Sequence, residues 1–377
     1  MSKRRKYRRI VVKAGTSLLT KGSVKLDIEV IATIVSQISS LQSEGYQMVM
    51  VTSGAVAAGK EIMKGFEKKG GVPERQVLAA VGQGRLINIY DGEFSKNGTI
   101  SAQALLSRSD INDRLRYLNV RNTIMGLIEN RVVPIINEND VVAVDELTSE
   151  VFGDNDNLSA LVANLIDADL LIILGTVKGM YTKDPTIHSD AKIVSVVEKI
   201  DESLNEFAGP SSDSMGRGGM VTKIEAAKLA TSSGVDVVIA SGMEDNPIIR
   251  LAVGEKLGTL FSASVSKLES RKRWMLSGLT NNLAVKIDSG AAKALKDGHS
   301  SLLPAGVLGS EGEFGRGDII SIVDSNGISV AAGITNYSSD DLTKIRKIRS
   351  DKIQSVLGYQ YGDEVVHKNN LVLIEHS

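Results

Sequence analysis

Leu170-Leu171-Ile172-Ile173-Leu174 is a wholly apolar run, and it limits the folds open to this chain more than any other stretch. A strand with one wet face alternates polar and apolar residues. A run with no polar member is buried on both faces, as in a parallel sheet covered by helices. Just before it, Leu158, Leu161, Val162, Leu165 and Ile166 form a stripe at helical spacing. Ahead of that helix stands Gly153-Asp154-Asn155-Asp156-Asn157. One Asx residue suffices to cap a helix, so four polar residues, two of them carboxylates, exceed what a cap requires. In α/β proteins such a loop lies at the sheet edge where ligands bind. The stretch reads as part of a site.

The same alternation extends over about 260 residues. Strands are expected at Ile10–Val12, Met48–Val51, Val132–Ile136, Leu170–Leu174 and Val235–Ala240. Helices are expected at Asp27–Ser43, Gln76–Phe94, Tyr117–Glu129 and Val221–Ser233. Strand, loop and helix in that order call for an α/β fold, a mainly parallel sheet sandwiched by helices. Beyond Phe261 the elements turn short, β-like and glycine-punctuated, as in Leu283–Ile287, Ile319–Val323 and Ser329–Ala332, which suggests a small β-rich barrel domain. The expected division is a basic tail at 1–9, an α/β domain at 10–262, a linker at 263–280, a β-rich domain at 281–360 and a tail at 361–377.

Several chemistries are excluded at once. The chain has no cysteine, so disulfides, thiolate-bound zinc and thiol catalysis are out. Its four histidines, His188, His299, His367 and His376, show no metal-ligand spacing, so a metal would be a hard, oxygen-bound ion such as Mg2+, with ligands unknown. A net charge of −1 argues against a surface built for nucleic acid or membrane. Lys3, Arg4, Arg5, Lys6, Arg8 and Arg9 crowd the start, but Lys13 interrupts any apolar core of signal-peptide length. These basic residues read as a frayed, solvated tail. No apolar run reaches the ~18 residues of a membrane span. The expected location is the cytoplasm.

Three strand ends share one design, an apolar run followed by small or glycine-rich residues and then a helix. Backbone N–H groups and helix dipoles at such turns make anion sites. Lys13-Ala14-Gly15-Thr16-Ser17 follows the first strand, Thr52-Ser53-Gly54-Ala55 the second, and Gly216-Arg217-Gly218-Gly219-Met220-Val221-Thr222-Lys223 opens a late helix. A lysine ending a buried strand and a second lysine at a glycine turn on the same sheet edge point to phosphate. No G-x-x-x-x-G-K-[ST] or G-x-G-x-x-G motif occurs, which argues against P-loop and dinucleotide sites. Ser53 lacks the G-x-S-x-G context of a hydrolase nucleophile.

Taken together, Val12–Ser17, Val51–Ala55, Asn137-Glu138-Asn139-Asp140, Gly153–Ser159 and Gly218–Lys223 resemble, in order and spacing, the glutamate 5-kinase branch of the amino acid kinases. The segment around Ser300-Ser301-Leu302-Leu303-Pro304-Ala305-Gly306-Val307 resembles a PUA domain. The resemblance implies ATP-dependent phosphorylation of the side-chain carboxylate of L-glutamate, opening proline biosynthesis, with ATP and Mg2+ as cofactors. It implies Lys13 at the ATP phosphates and Ser53, Asp140 and Asn155 as holding glutamate. The chemistry of such a transfer assigns Lys13 and Lys223 to the phosphoryl group, with Asp154 and Asp156 organising the lysines or the magnesium shell, so the candidate catalytic residues are Lys13, Lys223 and Asp156. It implies Lys13, Gly15, Gly175, Thr176, Arg217, Gly218, Gly219, Met220, Val221, Thr222 and Lys223 around the nucleotide. There are two departures from the family pattern, Gly175-Thr176 where Ser/Thr-Asp is usual and Arg217 where Thr is usual.

The same resemblance implies a homo-oligomer, feedback inhibition by proline, and handoff of a labile acyl phosphate to glutamyl phosphate reductase. The alternatives are a kinase for acetylglutamate or aspartate, or a PUA-type RNA-binding protein. Residues 281–360 carry nine Lys/Arg against nine Asp/Glu, which lacks the basic footprint of RNA binding, although Lys344, Arg346, Lys347 and Arg349 cluster.

Overall fold

The computed structural model describes residues 6–63, 71–143, 155–185, 187–201, 204, 219–279, 283–297 and 300–374. The chain divides into two compact units, Met1–Ile111 with Arg121–Ser266, and Asn112–Val120 with Lys267–Ser377.

The first unit is built on an eight-stranded sheet. Its strands are β1 (Arg9–Ala14), β2 (Gln47–Val51), β3 (Ser101–Leu106), β4 (Val133–Glu138), β5 (Leu170–Gly175), β6 (Val196–Val197), β7 (Asp236–Ser241) and β8 (Thr259–Phe261). They lie in the order β3-β4-β2-β1-β5-β7-β8-β6. Neighbours run parallel except at the antiparallel β7–β8 pair. The apolar run of β5 is fully buried between β1 and β7, as its composition requires. Asp27 accepts from the Val30 backbone N–H and so starts the helix Ile28–Ser43, whose buried face includes Ile31, Ile34, Val35, Ile38 and Leu41.

Two helices, Ala55–Ile62 and Val72–Lys96, cross at glycines. A Cβ on Gly59 would sit 1.9 Å from Leu78 O, and one on Gly82 would sit 1.8 Å from Ala55 O. Backbone therefore lies against backbone, which pins the long helix over the Ser53-Gly54 turn. Gly82→Ala is expected to lose about 3 kcal/mol or more of unfolding free energy, since the methyl meets a carbonyl that cannot yield. Gly84→Ala is the control: nothing lies within 4 Å of its Cβ position, so helix propensity favours alanine by roughly 0.8–1 kcal/mol. Urea denaturation midpoints of the two variants check the contrast.

The second unit carries β9 (Ala284–Ile287), β10 (Val307–Glu311), β11 (Ile319–Val323), β12 (Ser329–Ile334) and β13 (Leu371–Leu373), in the sheet order β10-β9-β11-β12-β13. All pairs are antiparallel except β9–β11. Its core includes Val285, Ile320, Ile322, Val330, Tyr337 and Leu342. Residues 112–120 group with this unit, where Leu118 is buried with Met275, Ile319, Ala332, Ile334 and Val372.

The structure corrects three expectations. Residues 6–9 are no frayed tail. Arg9 opens β1, the Arg8 and Arg9 N–H groups both donate to Asp169 at 2.7 Å, and the Tyr7 hydroxyl donates to Asp236 at 2.9 Å. Two carboxylates far away in sequence hold this segment, so its local charge is misleading. The stretch expected as a linker contains the helix Lys267–Gly278, whose charged run masks a single buried residue, Met275. The stretch expected as a tail contributes β13, which pairs with β12 through Ala331, Ala332 and Gly333.

Candidate active site

Lys13 is the residue that sequence alone makes strangest. It sits inside β1, paired with Val51 on one side and Ile173 on the other, and its side chain is 1% exposed. A buried ammonium needs a counter-charge. Asp156, two residues into the helix Asn155–Leu165 and itself fully buried, supplies it: Oδ1 lies 2.6 Å from Lys13 Nζ. The other oxygen, Oδ2, is 3.1 Å from Lys223 Nζ and accepts from Thr222 Oγ1 at 3.0 Å. Thr222 and Lys223 lie in the first turn of the helix Met220–Thr231, which Gly219 caps in extended conformation.

One carboxylate thus sits between two ammonium groups. The two ammonium groups and the carboxylate converge at the sheet edge, where the positive end of a helix dipole adds to them. Glycines keep the edge open. A Cβ on Gly15 would lie 3.2 Å from Lys13 Nζ, and one on Gly175 would lie 3.6 Å from Lys223 Cε. Such a place accepts an anion with several oxygens, such as a polyphosphate.

Beside it is an amide network. Asn155 Nδ2 donates toward Thr52 O at 2.6 Å, Ser53 Oγ at 2.9 Å and Asn137 Oδ1 at 2.8 Å. Asn137 Nδ2 in turn donates to Gln83 Oε1 at 2.7 Å. The turn after β2 brings Ser53 here because Gly54 adopts φ 104°, a left-handed conformation that favours glycine. The Thr52 hydroxyl is tied to Tyr90 at 2.9 Å, and burial raises the Tyr90 phenol well above its ordinary pKa.

The structure therefore brings Lys13, Asp156, Thr222 and Lys223 together at one carboxylate, and Ser53 and Asn155 together at one amide. Asp140 lies half-buried in the turn following β4, three residues beyond Asn137. Gly175 ends β5, and Thr176 is exposed just after it. Gly219, Met220 and Val221 are half-buried at the helix start. Gly153, Asp154, Arg217 and Gly218 fall outside the described residues. Gln83 escaped the sequence reading, because a glutamine on a helix exterior has no local signature. Only its seven-residue offset from Gln76, whose Nε2 reaches Val141 O at 3.0 Å, places it on the face toward the 137–141 loop.

Among the described residues no group of three or more His, Asp or Glu side chains could hold a metal ion. Both Asp156 oxygens already face ammonium groups. These residues form no protein cage for Mg2+, and no step below depends on one. No helix of the described residues is long and apolar enough to cross a membrane.

Residues 8–241 match the amino acid kinase family model, and residues 284–357 match the PUA domain model. The chain belongs to the amino acid kinase family. Within it, the relatives are glutamate 5-kinases. The enzyme of that name from Dehalococcoides mccartyi (strain ATCC BAA-2266 / KCTC 15142 / 195) is 53% identical over 368 residues, covering 98% of this chain and 99% of its own. That of Caldanaerobacter subterraneus subsp. tengcongensis is 47% identical over 367 residues, covering 97% and 98%. Among solved structures, a UMP kinase from Bacillus anthracis superposes with a TM-score of 0.47 at 16% identity, over 69% of this chain and 97% of that one.

Proposed function

We propose that this chain transfers the γ-phosphoryl group of ATP to the side-chain carboxylate of L-glutamate, giving L-glutamyl 5-phosphate, the first step of proline biosynthesis. The observation that carries the reading is the pair of ammonium groups on opposite oxygens of buried Asp156, in a chain whose full-length relatives are glutamate 5-kinases.

The reaction suits these groups. A glutamate side chain, with a reference pKa of about 4.3, is ionised at neutral pH, so no general base is needed. A carboxylate oxygen forms a bond to the γ-phosphorus as the bond to the ADP oxygen breaks. The difficulty is anion meeting anion, and catalysis is positioning and charge neutralisation. In this reading Lys13 and Lys223 engage the transferring phosphoryl group, and Asp156 holds the two lysines apart at a fixed spacing. Ser53, Asn155 and Asp140 hold the amino acid, with Asp140 toward the substrate ammonium. Gly15, Gly175, Thr176 and the 217–223 segment border the nucleotide. Mg2+ would enter on the ATP phosphates with water completing its shell.

Proline inhibition, a homo-oligomer, a cytoplasmic location and handoff of the acyl phosphate to a reductase belong to the same proposal. So do the domain division at 10–262 and 281–360 and a second domain whose neutral charge does not favour RNA. The test is ADP release with glutamate, N-acetylglutamate and aspartate. Turnover with glutamate at least a hundredfold above the other two is expected, and preference for either rival overturns the proposal.

A further inference from the structure

The amide network has a direction, and a backbone group sets it. Thr52 O is a carbonyl that cannot turn, so the Asn155 amide must present nitrogen to it at 2.6 Å. Asn155 Nδ2 then faces Asn137 Oδ1, which turns Asn137 Nδ2 outward to Gln83 Oε1. The two ends of an amide are distinguished only by such partners. Each therefore fixes the next, and the last one fixed is Gln83. Its oxygen is used, and its Nε2 donates to no described residue. Gln83 is half-buried on the helix face toward the 137–141 loop, and Gly82 beside it allows no retreat of the helix.

At the other end, the two N–H bonds of Asn155 are shared among Thr52, Ser53 and Asn137, and its Oδ1 accepts from no described residue. One network thus offers an acceptor at one end and a donor at the other. An amino acid's α-carbon carries the complementary pair, an ammonium and a carboxylate. The lysines serve the phosphoryl group and Asp140 the ammonium, and the α-carboxylate calls for a donor besides the Ser53 hydroxyl.

We propose that Gln83 is a further substrate-binding residue whose Nε2 donates to the α-carboxylate of the amino-acid substrate. This rests on the glutamate-kinase reading above and adds to it the group that recognises the second carboxylate.

Gln83→Glu is the discriminating variant. Its carboxylate still accepts from Asn137 Nδ2, so the network stands, but the donor facing the substrate becomes a negative oxygen. The expected result is a glutamate KM raised at least tenfold, with kcat within threefold and the ATP KM unchanged. The second arm uses 4-aminobutyrate, which keeps the ammonium and the reacting carboxylate but lacks the α-carboxylate. Its inhibition constant against glutamate should be unchanged or tighter in the variant. Equal weakening of both ligands would mean that Gln83 only supports the fold, and an unchanged glutamate KM would mean that it touches no substrate. Either result overturns the proposal. A wild-type protein without glutamate turnover would instead refute the underlying reading, so the two failures are distinguishable.

Discussion

Lys223→Ala is expected to lower kcat by about 10³-fold while moving the glutamate KM by less than about threefold, because in the proposed function it removes a charge used as the phosphoryl group transfers. The argument starts from Asp156. Its carboxylate contacts both ammonium groups, one on each oxygen, and so sets their spacing at the sheet edge. Removing Lys223 takes away one of the two ammonium groups and leaves Lys13 against Asp156. In the proposed reaction the γ-phosphoryl group then meets one cation fewer as negative charge spreads over its oxygens. In the proposed function glutamate is held by Ser53 and Asn155, which are joined by a hydrogen bond of their own, so its binding should be left nearly intact. Lys13→Ala should act in the same direction with a further loss of stability, because Lys13 lies within the sheet and Lys223 on a helix. Steady-state kinetics with glutamate and ATP varied separately check the split. A glutamate KM raised in step with a modest fall in kcat would place Lys223 on the amino acid instead.

How far such a site can be read from sequence depends on whether each residue's partner is near it in the chain. The α/β alternation was legible because β1, β2, β4, β5 and β7 are nearly all apolar, and periodicity is a local property. The edge strand β3, Ser-Ala-Gln-Ala-Leu-Leu, was missed because only Leu106 is fully buried and the pattern is diluted. Lys13 stood out because an ammonium at the end of an apolar strand is anomalous by itself. What it pairs with was not legible: Asp154 and Asp156 are equivalent in the sequence, and the contact of Lys13 with Asp156 follows from the packing of the helix Asn155–Leu165 against β1. Gln83 lies 54 residues from Asn137, and the bond between them exists only because two glycines let two helices touch. The N-terminal basic residues misled for the same reason, since Tyr7 finds Asp236 across 229 residues.

Asp156→Ala should be the most destabilising substitution at the site. It leaves two ammonium groups, 1% and 10% exposed, at the same spot with no carboxylate between them. Breaking a buried pair by removing one partner typically costs about 3–5 kcal/mol, and here the abandoned partners also repel each other. The pH dependence identifies the cause. A crowded ammonium without its counter-charge gives up its proton more readily in the folded protein than in the unfolded chain, where a lysine titrates near about 10.4. The unfolded state then binds more protons, so stability rises with pH. The deficit of Asp156→Ala relative to wild type should therefore be largest near neutrality and shrink as the pH approaches about 10. Asp156→Asn, which keeps the shape and one carbonyl acceptor for the Thr222 hydroxyl, should show a smaller deficit with the same pH trend. Urea denaturation of both variants at several pH values is the measurement. A deficit that stays constant with pH would show that the loss comes from packing around the helix Asn155–Leu165, and that Asp156 does not manage the charge of the two lysines.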